Sequence, residues 1–481
     1  MEVLQRTANR GSISTDTGYN IDNSCKFEDD NDEWLYRTNA SGTNRKTWTV
    51  SWWFKQTELR SVNGAAAEHW QGGGYGEATR AGIFADDRIW IDIGGGDGNT
   101  GTLFRSLSTA RLRDTAAWYH IVIACDSTQS TEADRLKVWL NGVEVTAWDQ
   151  RQYPTLNYES ALQGTGGVQM KWGSADATYH GYSGYLAECN YVDGVTATQN
   201  DFGEFDEDTG IWKPKAYTGS YGTNGSYLDF EIANDLGANA KGNDVNFSLN
   251  NITSADQATD TPTNNFCTFN TLSVVGTSTY TEGGTVGQAN KQNDQGEGTI
   301  MFSSGNWYFE MQVPSSSASS DAMFGFAIPN EWGPSNPGDD SGKGFSVHNV
   351  GRWYYNNNGS TSTDSSAAFA KGDIVSLAIN TSSEKAWVAI NGTWATGTNP
   401  ATGTGGFSYG TLLTSWESGS YLVPAFRTHY VSGSESNANF GGFTVISIST
   451  PETDENGYGT FEYAPPSGYY ALCTKNLEEF G

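Results

Sequence analysis

Several residue sets in this 481-residue chain have the types that chemistry requires. The densest acidic run is Glu204-Phe-Asp206-Glu-Asp208. Glycoside hydrolysis uses two carboxylates that flank one bond. Here Gly203 and Gly210 bracket the run and its last acid is the short Asp208. That predicts a solvated turn, and an acid on a turn misses the placement that catalysis needs. The histidines are His69, His120, His180, His348 and His429, and no two have a metal spacing such as HExxH. Gly72-Gly-Gly74 and Gly94-Gly-Gly-Asp-Gly98 lack the following helix whose amides would cradle a phosphate, so they predict turns. No catalytic residue is expected.

Two other sets suit binding. Asp97 with Asn99, and Asp206 with Asp208, supply hard oxygen ligands for a structural Ca²⁺, although neither completes a six-ligand set in sequence. No other cofactor is expected. Trp70 and Tyr75 flank a Gly run, and Tyr354 precedes Asn356 and Asn357. A flat apolar face beside polar edges is what a sugar ring needs, so these five are candidate glycan contacts. Trp353 and Tyr355 alternate with Tyr354 and are expected in a core, leaving Tyr354 on the opposite face.

The elements that would carry these residues are strands. Thr47 to Lys55, Trp118 to Cys125, Leu136 to Leu140 and Tyr182 to Val192 are β-rich. Asn141-Gly142 is a hairpin signal, because both residues tolerate positive φ. The same grammar returns about 250 residues later: Ile374 to Ile379, a polar turn, Lys385 to Ile390, then Asn391-Gly392. Residues 314–321 and 358–366 are expected as loops. The 58 Gly, 24 Tyr, 22 Phe and 17 Trp fit pleated strands joined by tight turns. The expected fold class is all-β, two jelly-roll sandwiches in tandem. Expected boundaries are an arm at 1–22, a sandwich at 23–200, a connector at 201–264, a sandwich at 265–450 and a tail at 451–481.

With 55 acidic against 27 basic residues the net charge is −28, which argues against nucleic acid or anionic lipid as partner. The five cysteines are widely spaced without a CxxC pair and suit a reducing compartment. The start MEVLQRTANRGS is polar, and no apolar run approaches membrane-spanning length, so neither a signal peptide nor membrane insertion is expected.

Trp118-Tyr-His120, Lys137-Val-Trp-Leu-Asn-Gly142, Gly184-Tyr-Leu-Ala-Glu188 and Asp193-Gly194 resemble a laminin-G-like module of the concanavalin type. Such modules often hold Ca²⁺ at a loop rim. Gly305-Asn-Trp-Tyr-Phe-Glu310, Gly325-Phe-Ala-Ile328, Gly372-Asp373, Ala386 to Gly392, Leu422 to Ala425 and Asn439-Phe-Gly441 resemble a SPRY domain. The acidic run is similar to the Glu-x-Asp-x-Glu of jelly-roll glucanases, but ends in Asp208. Gly203 to Lys215, Tyr221 to Gly225, Tyr227 to Phe230, Asp260 to Phe266 and Tyr463 to Leu477 resemble segments of tailed-phage virion proteins. This resemblance implies a virion component, a short tail fibre or similar receptor-binding appendage. It implies a homo-oligomer, most readily a trimer, that contacts other virion proteins and a host-surface glycan. A head-decoration role is the alternative, and a polysaccharide depolymerase stands third.

Overall fold

The computed structural model describes residues 18–40, 44–59, 66–74, 77–95, 103–162, 169–173, 181–242, 245–273, 276–291, 294–331, 344–355, 360–409, 421–428, 431 and 433–481. Two compact units divide the chain, Met1–Thr263 and Asn264–Gly481. Each is an antiparallel β-sandwich, so the chain is all-β, two jelly-roll sandwiches in tandem. Among the described residues no helix is long and apolar enough to cross a membrane.

In the first unit, the front sheet runs Val143–Glu144, Leu136–Leu140, Tyr119–Asp126, Thr47–Gln56, Gly184–Asp193, Ser24–Phe27 and Gln257–Ala258. The back sheet is built around Ala67–Gly74, Glu77–Ile83, Arg88–Gly95 and Leu103–Arg111. Alternation points Trp48, Val50, Trp52 and Phe54 into the space between the sheets, where they meet Ile121, Ile123, Ile91 and Trp172. The five cysteines are buried free thiols.

Residues 201–264, expected as a connector, are built into this sandwich up to Thr263. Ser226–Leu228 pairs with Gly184–Asp193, Ser248–Asn250 with Trp34–Thr38, and Gln257–Ala258 with Ser24–Phe27. Their low periodicity reflects short strands that each add one edge. Two buried lysines fix the return. Lys55 Nζ lies 2.7 Å from Asp260 Oδ2, both side chains almost fully buried, and Trp118 Nε1 donates to Asp260 Oδ1 at 3.0 Å. Lys26 bridges Glu33 and Asp256 at 3.0 and 2.9 Å.

The second unit has a front sheet centred on Glu435–Asn439, Asn306–Gln312, Ile374–Asn380 and Lys385–Ile390. Its back sheet is Asp294–Glu297, Val423–Thr428, Ala322–Ala327, Gly344–His348, Val350–Tyr355 and Ser360–Ala368. The last of these covers most of 358–366, expected as a loop. Its Ser/Thr run pairs with Val350–Tyr355 at the sheet edge, where polar residues suit a strand. The expected tail, 451–481, is also part of its unit. Tyr470–Ala471 pairs in parallel with Asn306–Gln312, and Phe461, Tyr469, Leu472 and Cys473 are buried. The buried Glu310 carboxylate accepts from Tyr308 Oη, Asn439 Nδ2 and the Glu462 and Tyr463 amides at 2.9 to 3.1 Å.

The two Asn-Gly hairpins have one design. Asn141 and Asn391 take φ +46° and +48°, and Gly142 and Gly392 take +78° and +75°. The Asn141 side chain accepts from the His120 amide at 2.7 Å, and Asn391 from the Ile374 amide at 2.9 Å. A ring then lies over each glycine, Trp212 over Gly142 and Tyr463 over Gly392, where a Cβ would overlap it.

Both features can be tested through stability. Replacing Lys55 by Met takes the lysine away from the buried Asp260 carboxylate, and chemical denaturation should show a loss of about 3–5 kcal/mol. Gly142→Ala and Gly392→Ala should each cost about 1–3 kcal/mol or more, from left-handed backbone and ring overlap together. Gly397→Ala, at φ +75° with open space around it, should cost less than either.

Candidate functional site

The strand Gly184–Asp193 lies inside the front sheet of the first unit and is buried on both faces. Strict alternation from Leu186, a core residue, would send the Glu188 carboxylate into the core as well. A bulge prevents this. The register with Thr47–Gln56 shifts between Ala187 and Asn190, and Glu188 takes φ +51°. Ala187 and Glu188 then both face outward, and Cys189 and Tyr191 return to the core. Bulges commonly re-aim side chains beside functional sites, and a left-handed glutamate is held only by its surroundings.

The outer face of this sheet is covered by residues 197–228. Phe202, Tyr221 and Ala197 pack on Val122 and Val192, and Trp212 joins Trp53, Ala187 and Ile21. Between the covering loop and Tyr19 lies a groove of about 860 Å³. Tyr19, Tyr217, Tyr221 and Tyr227 supply its apolar surface, and Thr218 to Thr223 its polar rim. Tyr217 is stacked on Phe202 at 4.9 Å and meets Tyr221 edge-on at 5.0 Å. Tyr221 Oη donates to Asn190 Oδ1 at 2.6 Å, while Asn190 Nδ2 donates to the Glu188 carbonyl at 2.8 Å.

Glu188 sits behind the tyrosines. Tyr227 Oη lies 2.6 Å from Oε1 and Tyr19 Oη 2.9 Å from Oε2. Burial pushes the carboxyl up to about 7, against the opposing effect of the two phenols, and Asp229 and Glu231 raise it further. Burial raises the Tyr19, Tyr221 and Tyr227 phenols too, and Glu188 adds to the effect.

His120 lies beneath the same cover, stacked on Trp53 at 4.6 Å and on Trp212 at 6.0 Å. Trp212 Nε1 can only donate, so His120 Nδ1, at 2.9 Å, accepts. The proton therefore sits on Nε2, which donates to Ser51 Oγ at 2.9 Å. Burial drives this imidazole down to about 3. It is a neutral packing residue.

The residues picked from sequence fall elsewhere. Trp70 is not a surface contact: it is 1% exposed and packs on Trp48, Trp172 and Tyr191. The reason is another bulge, between Glu68 and Trp70, which turns His69 and Trp70 both inward. Tyr354 is half-buried on the outer face, with Trp353 in the core as alternation requires. Asp206 is a turn cap: Oδ1 accepts from the Asp208 and Thr209 amides and the Thr209 hydroxyl at 2.9 to 3.1 Å, and Oδ2 faces Lys213. These bonds, led by the Thr209 amide, hold its carboxyl below the usual range. Asp208 is exposed. Among the described residues no group of three or more His, Cys, Asp or Glu is placed to hold a metal. Tyr75, Asp97, Asn99, Asn356 and Asn357 lie outside the described residues. Glu188 and the four tyrosines are not singled out by sequence reasoning. A lone acid inside the apolar run Tyr185-Leu-Ala-Glu-Cys189 is the signal that could have found them.

No family model matches the sequence, and no curated protein does. Among solved structures, the SPRY domain of human HERC1 aligns at 14% identity over 33% of this chain and 89% of its own, with a TM-score of 0.25. A heptameric SAP-like pentraxin from Limulus polyphemus aligns at 13% over 37% and 80%, TM-score 0.26. A candidate carbohydrate binding protein from Bacteroides ovatus aligns at 14% over 48% and 59%, TM-score 0.30. The fold described above rests on the sheets themselves.

The neutral His120 has a pH consequence. Its folded value lies below the unfolded 6.5, so the unfolded chain takes up a proton that the folded one refuses. Its contribution to stability is complete above about 6.5 and falls with pH below that, by about 2 kcal/mol at pH 5. Denaturation at pH 7 and 5 should show that His120→Gln loses this share of the pH dependence. Comparing the variant with wild type cancels the opposite contribution of Glu188.

Proposed function

We propose that this chain is a structural, non-enzymatic virion component of a tailed phage, a short tail fibre or similar appendage that presents its sandwiches to a host-surface glycan. The observation that carries the glycan part is the tyrosine-lined groove of the first unit. Saccharide rings stack their apolar faces on aromatics and spend their hydroxyls on polar rims, and the groove offers both. Tyr217 is the stacking platform, half-buried and backed by Phe202. Tyr354, on the outer face of the second unit, is a further candidate contact. Hydrolysis would need two carboxylates across the bond, whereas Glu188 stands behind two phenols and Glu204 and Asp206 face Lys213. The virion part is supported by the resemblance of residues 203–215, 221–225, 227–230, 260–266 and 463–477 to segments of tailed-phage proteins. Assembly as a homo-oligomer, a trimer in that class, with contacts to other virion proteins, is part of the same proposal.

Calorimetric titration with oligosaccharides cut from the host-surface polysaccharide tests the groove. Tyr217→Ala should weaken binding about tenfold, the worth of one aromatic stack, in a variant that still unfolds in a cooperative thermal transition. Equal affinity in the folded variant, or no binding by the wild type, would overturn the glycan reading. Antibody labelling of intact particles checks the virion reading, with signal expected on the tail.

A further inference from the structure

We infer that Tyr19, Tyr227 and Glu188 form a closed hydrogen-bonded ring that needs a proton on the carboxyl, and that this proton latches Tyr19 onto the groove. Three short oxygen contacts make the ring: Tyr19 Oη to Glu188 Oε2 at 2.9 Å, Tyr227 Oη to Oε1 at 2.6 Å, and Tyr19 Oη to Tyr227 Oη at 2.7 Å. Each contact needs a hydrogen between its oxygens. The two phenols supply two. A carboxylate accepts only, so with Glu188 ionised one contact has lone pairs facing lone pairs. A carboxylic acid supplies the third hydrogen: its O–H donates to one phenol, that phenol to the other, and the second phenol to the acid carbonyl. The ring then closes with all three O–H groups used and one hydrogen in each contact.

The surroundings favour the neutral acid. Glu188 is nearly fully buried, and Asp229 and Glu231 act on it with like charge. Tyr221 faces it and is tied to the same strand through Asn190. Cys189, its neighbour, turns to the core.

Loss of the proton has a defined weak point. Tyr227 is held in a strand, paired with Asn190. Tyr19 precedes the first strand, and among the described residues its nearest backbone anchor is Ile21, whose amide and carbonyl both bond Thr263 Oγ1. Tyr19 is therefore the member that leaves, pivoting ahead of Ile21 and taking one wall of the groove with it. The folded carboxyl titrates near 7, above its ordinary 4.5. The latch is thus fully stabilising below about 4.5 and is lost as pH rises through 7. If the groove is the saccharide site proposed above, saccharide binding weakens over the same range; the latch itself does not depend on that reading.

The test uses the whole chain without saccharide. Infrared difference spectra between wild type and Glu188→Gln should show a carboxylic-acid carbonyl band at acid pH that disappears with a midpoint near 7. The glutamine amide offers a donor and an acceptor where the acid has them, so this variant keeps a ring that cannot titrate. Hydrogen exchange of the amides around Tyr19, taken as the ratio of wild type to Glu188→Gln at each pH, should stay near one below about 4.5. From there the ratio should rise by up to about tenfold per pH unit towards the midpoint and level off above it. Tyr19→Phe, which removes two of the three contacts, should exchange fast at every pH. An absent acid band, or a ratio that stays at one to pH 9, would overturn the latch. A titrating band and ratio without saccharide binding at any pH would sustain the latch and sink the saccharide reading.

Discussion

A strand buried on both faces cannot carry a carboxylate at its centre without disposing of it, and Gly184–Asp193 carries Glu188 there. Its core face is set by Leu186, Cys189 and Tyr191 and leaves no room for a charge. The bulge at Glu188 moves the carboxyl to the outer face at the cost of a left-handed backbone. Once there, it needs donors, and the first unit supplies them from Tyr19 and Tyr227, 169 and 39 residues away. The groove, its tyrosines and the covering residues 197–228 are arranged around that one solution.

The same problem is solved again in the second unit. Glu310 lies on a central strand of the front sheet and is quenched by four donors, two of them amides of Glu462 and Tyr463. Each sandwich therefore folds a later segment over the outer face of its front sheet, and each pins an aromatic from that segment on the glycine of an Asn-Gly hairpin. The loose duplication of hairpin grammar extends to these straps. Their sequences share no visible period, because an irregular chain is specified by the polar groups it must satisfy and not by alternation.

Charge is distributed by the same logic. A chain at −28 keeps some of its few cations for deep positions: Lys55 and Lys26 are almost fully buried and hold Asp260, Glu33 and Asp256. Buried pairs of this kind add little net stability over apolar packing, but they penalise any register that separates them. They explain how residues 248–263 find one place on the first sandwich.

The sequence by itself determined the all-β class, the long strands and both Asn-Gly turns, because a period of two and a need for positive φ are local properties. Alternation alone also separated Trp353 from Tyr354. It does not reach Trp70 or Glu188, where one extra residue in a strand reverses the facing of the residues beyond it and leaves no mark in composition. Residues 201–264 and 451–481 look like linker and tail in sequence because their strands are two or three residues long. Only the tertiary structure decided the groove. Tyr19 and Tyr227 are 208 residues apart, and each becomes a site residue through a carboxylate that the fold turns outward.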